Sequence, residues 1–369
     1  MFVAQPPTTS GFSSFYAAGR LALAGTPWLA YDPAAHFAAQ VAATQPGVEH
    51  FVFFYPPVFL LLCALLAHLP YLAAYVAFEA ATLALYMPVA RRILALPGRT
   101  WLLPALAFPA VPWTLGLGQN ALLTAAILGG GLLLLDRRPL VAGAVLGLIC
   151  YKPHFGLLLP VALAAGGHWR AFAATAASVL ALVALSVAAF GWAAWHVYLL
   201  AFAGSGATYA SGQVSFAAFV TPFGAALLLG TPPLVATLVQ AAAALAAAAA
   251  VALVWRRRAP LPARAAVLLA GTLLAVPLAL FYDCAILGLA LFWLAADAPG
   301  RREQQALAGV FVTPLVSRYV GLALHLPLGP LASLAVLWLG LRRALPLTGG
   351  VAGLAFGHDG PRRPPPRPA

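Results

Sequence analysis

Long apolar runs separated by short clusters of arginine, proline and glycine make up most of this chain, and few of the runs alternate polar with apolar positions. A run of about 20 apolar residues spans a bilayer as a helix, so the pattern predicts roughly ten to twelve membrane segments, several cut short by proline. Blocks such as 241–250, alanine with a single leucine, lack the period of two that a membrane β-barrel strand requires. The predicted fold class is therefore all-α, a polytopic transmembrane helical bundle.

Taken in order, the pattern divides the chain into three stretches. Residues 1–50 read as an outer-face loop with interfacial helices, because Phe12, Phe15, Tyr16, Leu21 and Leu23 can share one helix face and Trp28 and Tyr31 prefer headgroup depth. Neither a signal-peptide pattern nor a first spanning helix precedes them; an in-frame apolar segment upstream of Met1 is the expectation if translation begins earlier. Residues 51–343 read as the transmembrane domain. Within it, Pro56 and Pro57 precede a short run to Leu69, 71–90 spans with Glu79 at its middle, and 101–117 is kinked or re-entrant at Pro104, Pro109 and Pro112. Further spans are expected near 121–135, 171–190, 214–230, 233–255, 263–281, 284–297, 305–324 and 328–341, with a loop from Gly191 to Ser215. Residues 344–369, rich in proline and arginine, read as a disordered cytoplasmic tail.

Composition agrees: 63% of residues are hydrophobic and 8% charged, which excludes a water-soluble globule. The formal net charge of +12 would suggest a nucleic-acid partner in a soluble protein. Here the arginines sit at the ends of apolar runs (91–92, 137–138, 256–258, 301–302, 342–343), where the positive-inside rule makes them cytoplasmic anchors. The partner they imply is the lipid of a cell membrane, plasma or inner, crossed many times. The bookkeeping is inconsistent at one place, since two crossings between Phe51 and Ala90 would put Arg91 and Arg92 outside. Cys63, Cys150 and Cys284 are isolated and read as small apolar fillers.

Lys152 is the one lysine in the chain, and it lies between two apolar runs. An ammonium near hydrocarbon depth costs a few kcal/mol unless it meets water or an anion, so it marks a functional site; the plainer alternative is a lysine that snorkels to the interface. The presumed outer face also collects Tyr16, Arg20, Asp32, Glu49, His50, Gln119, Asn120, His154, Asp283, Arg318 and His325. Carboxylates, carboxamides and cations together suit a sugar, whose hydroxyls need hydrogen-bonding partners, joined to a phosphate, which needs cations. Lys152 and His154, helped by Arg318, are placed for the phosphate. Gln119 and Asn120 are placed for sugar or acceptor hydroxyls, and Tyr16 and Asp283 join them. Plainer readings stand beside these: Asp32 before Pro33 as a turn cap, Asp283 as a helix cap, Glu79 paired or neutral between helices.

The succession of Phe12, Phe15, Tyr16 and Gly19, then Gly25, Pro27, Tyr31 and Asp32, then Tyr55, Pro56 and Pro57, then Gly118, Gln119 and Asn120, and finally Ala142, Gly143, Lys152 and Pro153 resembles glycosyltransferase family 87. The resemblance covers roughly residues 10 to 300. It implies a GT-C fold and transfer of a sugar, mannose foremost, from a polyprenyl-phosphate donor to a lipid or glycan acceptor on the outer face, with no nucleotide cofactor and no obligatory metal. It also implies a general-base aspartate just before the Phe12 to Tyr16 motif, where this chain has Gly11. The base is then expected elsewhere in the same loop, at Asp32 or Glu49. The alternatives are a transporter or flippase of lipid-linked intermediates, which needs the same phosphate site but no base, and a catalytically inactive relative.

Overall fold

The computed structural model describes residues 11–210, 214–297 and 299–345, the side chains of 205–210 excepted. Among them the protein is an all-helical bundle without a sheet. Four helices are long and apolar enough to cross a membrane and six further apolar helices are shorter.

Three short elements pack together at the N-terminal end: α1 (Phe12–Leu23), α2 (Pro33–Ala43) and α3 (Pro57–Leu66). The amphipathic reading of α1 needs correction. All of Phe12 to Gly19 is buried, because the helix is wedged between α2, α3 and α4 (Tyr71–Leu94) rather than laid on an interface. A Cβ at Gly19 would meet the Cys63 carbonyl, so the glycine lets α1 and α3 touch backbone to backbone. Around Phe12 and Phe15 gather the rings of Tyr16, Tyr55, Phe59, Tyr71, Tyr75 and Phe78, mostly edge to face.

Helix α3, started by Pro57 and ten residues long, reaches only about 15 Å and cannot cross. In this part of the chain α4 is the helix long and apolar enough to cross. At the far end of α4, Arg91 lies 5.8 Å from the ring of Trp101. From there α5 (Leu102–Ala107) and α6 (Ala110–Leu117) follow one another with a break at Phe108, where Pro109 cannot continue the hydrogen-bond ladder. Then α7 (Ala121–Leu134) returns, α8 (Pro139–Gly147) rises again, and α9 (Leu159–Ala165) descends.

The segment read as a loop after Gly191 is helical. Helix α10 runs Trp169–Ala210 with a single break at Gly191, whose φ of 76° favours glycine, and Trp195 donates across the break to the Ser186 hydroxyl at 3.1 Å. Conversely, the span expected at 214–230 is absent. Residues 219–220 run extended beside Ala279 and Leu280, with the Val220 amide on the Ala279 carbonyl at 3.0 Å, and Thr221 caps a short α11 (Pro222–Leu228). The remaining helices, α12 (Pro233–Arg256), α13 (Leu261–Ala275), α14 (Ala285–Ala296), α15 (Arg301–Leu324) and α16 (Leu328–Ala344), follow the apolar runs closely. Helix α13 is buried along its length, packed against α12, α14 and α16.

Candidate active site

Three chain turns meet at one end of the bundle. Gly118, in the left-handed region at φ 63°, ends α6 and leaves Gln119 and Asn120 in the turn before α7. Two 3₁₀ turns, Leu148–Tyr151 and Pro153–Gly156, flank Lys152, whose own backbone is non-helical because Pro153 follows. After α13 the chain runs extended to Leu280, and a third 3₁₀ turn, Phe281–Cys284, presents Asp283.

Lys152 Nζ lies 2.6 Å from Asp283 Oδ1 and donates to Asn120 Oδ1 at 3.2 Å, and the Phe155 ring centroid is 4.5 Å away. The second Asp283 oxygen accepts the Leu280 amide at 3.0 Å. Tyr151 donates to the Asn120 carbonyl, and its hydroxyl also contacts Thr124. All of these side chains are buried, so the pair is a desolvated salt bridge rather than a surface one. Asn120 Nδ2 has no hydrogen-bond partner although the residue is wholly buried, which leaves one donor of the cluster unused.

Gly11 sits at the edge of the same cluster. Its amide donates to the Leu117 carbonyl at 2.8 Å, and a Cβ built on it would collide with the Gln119 carboxamide. The Gln119 side chain therefore occupies the space a side chain at position 11 would need.

The structure brings together Gln119, Asn120, Lys152 and Asp283, with His154 half-buried two residues from the lysine. Arg318 is exposed and 5.8 Å from the ring of Phe281, two residues from Asp283. Tyr16 is buried among aromatic rings and donates to the Leu69 carbonyl at 2.8 Å. Asp32 and Glu49 are placed differently: both are exposed, and Asp32 caps α2 by accepting the Ala35 amide at 2.8 Å. No described contact joins either of them to the lysine. Sequence reasoning overlooked Tyr151 and Thr124. The available signal was their spacing, one beside Lys152 and the other a helical turn after Asn120.

At the opposite end of the helices, Arg264 binds Asp136 at 2.9 Å and His168 at 3.0 Å, while Arg343 binds Glu303 and Asp297 at 2.8 and 3.2 Å. Burial and the nearby Arg264 lower the pKa of His168, outside the spans. Two ends of unlike chemistry result, arginine-rich at one and lysine, carboxylate and carboxamides at the other.

The family model described as Glycosyltransferase family 87 matches residues 53–280, which include Gln119, Asn120 and Lys152. No curated protein and no solved structure matches the chain.

Proposed function

The chain belongs to glycosyltransferase family 87, and from that premise we propose that it transfers a sugar from a polyprenyl-phosphate donor, mannosyl foremost, to a lipid or glycan acceptor. In this reading the protein has the GT-C architecture and works at the outer face of the cell membrane. The observation that carries the proposal is the buried meeting of Lys152, Asp283 and Asn120, with Gln119 next in sequence, at one end of the helical bundle.

Lys152 supplies the cation for the phosphate as it departs with the electron pair of the broken sugar–oxygen bond. A positioned charge in a site shielded from water stabilises that developing charge far more than it would in water. Asp283 and Asn120 hold the ammonium in place, and the free Asn120 amide donor and the Gln119 carboxamide are available to sugar hydroxyls. His154 and the exposed Arg318 stand at the margin, where a phosphate entering from the lipid would meet them first. Tyr16 supports the floor through its ring contacts.

The test is incubation of membranes containing the protein with a radiolabelled polyprenyl-phosphate mannose and a mixed lipid acceptor, followed by product analysis. Label should move to the acceptor, and Lys152→Met should abolish the transfer while the protein still inserts. Movement of intact donor across the bilayer with no new product would favour the flippase reading instead.

A further inference from the structure

We propose that Glu79 is the general base of the reaction, taking the proton of the acceptor hydroxyl; this rests on the transferase reading above. Joining the acceptor oxygen to the anomeric carbon releases a proton that some group of the protein must accept. Of the carboxylates in the described residues, Asp136, Asp297 and Glu303 are paired with arginines at the far end of the bundle. Asp283 is held by Lys152 and by the Leu280 amide. Asp32 is exposed and committed to its cap, and Glu49 is exposed on the N-terminal loop. Glu79 is different in kind: it is 7% exposed, and neither of its oxygens has a hydrogen-bond partner.

A carboxyl buried inside a spanning helix without a partner is costly and marks a functional position. Its place in the fold specifies which one. Tyr75 and Glu79 are one turn apart on the same face of α4, and the Tyr75 hydroxyl donates to the Leu115 carbonyl near the end of α6. Two residues further on, the Leu117 carbonyl accepts the Gly11 amide, against which the Gln119 side chain lies. The residues flanking Glu79 close the same corner from the other side. Tyr75 and Phe78 put their rings 5.4 and 5.6 Å from that of Phe12, the neighbour of Gly11. Helix α4 also packs against α7 and α14, whose first turns adjoin Asn120 and Asp283.

Glu79 thus lies one turn along α4 from Tyr75, which touches both Phe12, the neighbour of Gly11, and Leu115, two residues before the carbonyl that holds the Gly11 amide. In the step, the acceptor O–H bond breaks toward a Glu79 oxygen as the acceptor oxygen bonds the anomeric carbon. The carbon–oxygen bond to phosphate breaks in turn, and its electron pair leaves on polyprenyl phosphate beside Lys152. The proton on Glu79 is later lost to water.

The deciding experiment compares purified wild-type protein with Glu79→Gln, Glu79→Ala and Glu79→Asp, using labelled polyprenyl-phosphate mannose and reading transfer and donor binding separately. Glu79→Gln should lower transfer at least a hundredfold with donor binding unchanged, Glu79→Asp should retain part of the activity with a displaced acid limb in its pH–rate profile, and added formate should restore transfer to Glu79→Ala. Transfer by Glu79→Gln within threefold of wild type overturns the proposal and leaves the transferase reading standing. Failure of the variants to accumulate in the membrane, or no rescue by formate, makes Glu79 structural and overturns it as well. A wild-type protein that transfers nothing from any polyprenyl-phosphate sugar overturns both.

Discussion

Lys152 and Asp283 are 131 residues apart in sequence and 2.6 Å apart in the fold. The lysine was legible from its solitude between apolar runs, whereas nothing local in the sequence says which carboxylate it meets. Removing one partner of a buried pair leaves the other charged and desolvated, at a cost of about 3–5 kcal/mol. Lys152→Met is therefore expected to lower the melting temperature of the detergent-solubilised protein as well as its transfer. Adding Asp283→Asn should recover most of the melting temperature and none of the transfer. A double variant that transfers at the wild-type rate would reduce the pair to a structural contact. Gly11 gives a second residue-level expectation. Because Gln119 fills the space beside it, Gly11→Ala should lower the melting temperature, and adding Gln119→Ala should restore most of it; equal melting temperatures for wild type and Gly11→Ala would show that the site yields freely. Asp32 illustrates the opposite relation of sequence to structure: its cap on Ala35 is a contact over three residues, fully local, and the plain reading of an aspartate before proline described it.

At the scale of elements, legibility followed the length of uninterrupted apolar sequence. Helices α12, α15 and α16 end where their arginines and prolines predict. The departures, α1, α3, the second half of α10 and the segment before α11, lie where tertiary contacts decide. A helix enclosed by aromatic rings does not obey an amphipathic pattern, and at Gly191 a single non-helical residue separates two helical stretches with no loop between them. The α1–α2 pair contains such a contact with a measurable consequence. His36, buried, donates from Nε2 to the Ser14 carbonyl at 3.1 Å, and its Nδ1 has no partner. Burial lowers its pKa from 6.5 to about 4, with the Ser14 bond opposing and His50 assisting the shift. The unfolded chain then binds a proton that the folded one refuses between these values, so stability rises with pH across that window. Above pH 6.5 the contribution is complete, and it falls away toward pH 4, by at most roughly 3 kcal/mol. Melting temperature measured from pH 7.5 to 4.5 should decline less steeply in His36→Gln than in wild type; equal slopes would show that other groups govern the acid limb.

The whole molecule is organised by its two chemically distinct ends, which the helices join. Helix α7 leads from Asn120 to Asp136, α8 returns from Pro139 toward Lys152, and α13 leads from Arg264 back toward Asp283. Helix α10 begins beside His168 at the arginine end. Beyond its break, Tyr198 packs 5.6 Å from Tyr31, whose hydroxyl bonds the Tyr55 carbonyl near the ring of Tyr151. Gly204, six residues further, is therefore at the lysine end, while Arg257 directly follows α12 at the other. Arginine clusters are retained on the cytoplasmic side of a membrane. A cysteine replacing Arg257 should thus react with an impermeant maleimide only in permeabilised cells, and one replacing Gly204 should react in intact cells. The native background is low because Cys63, Cys150 and Cys284 are all buried. Labelling of both positions from the same side would discard this orientation, and with it the assignment of Lys152 to the face opposite the arginine clusters.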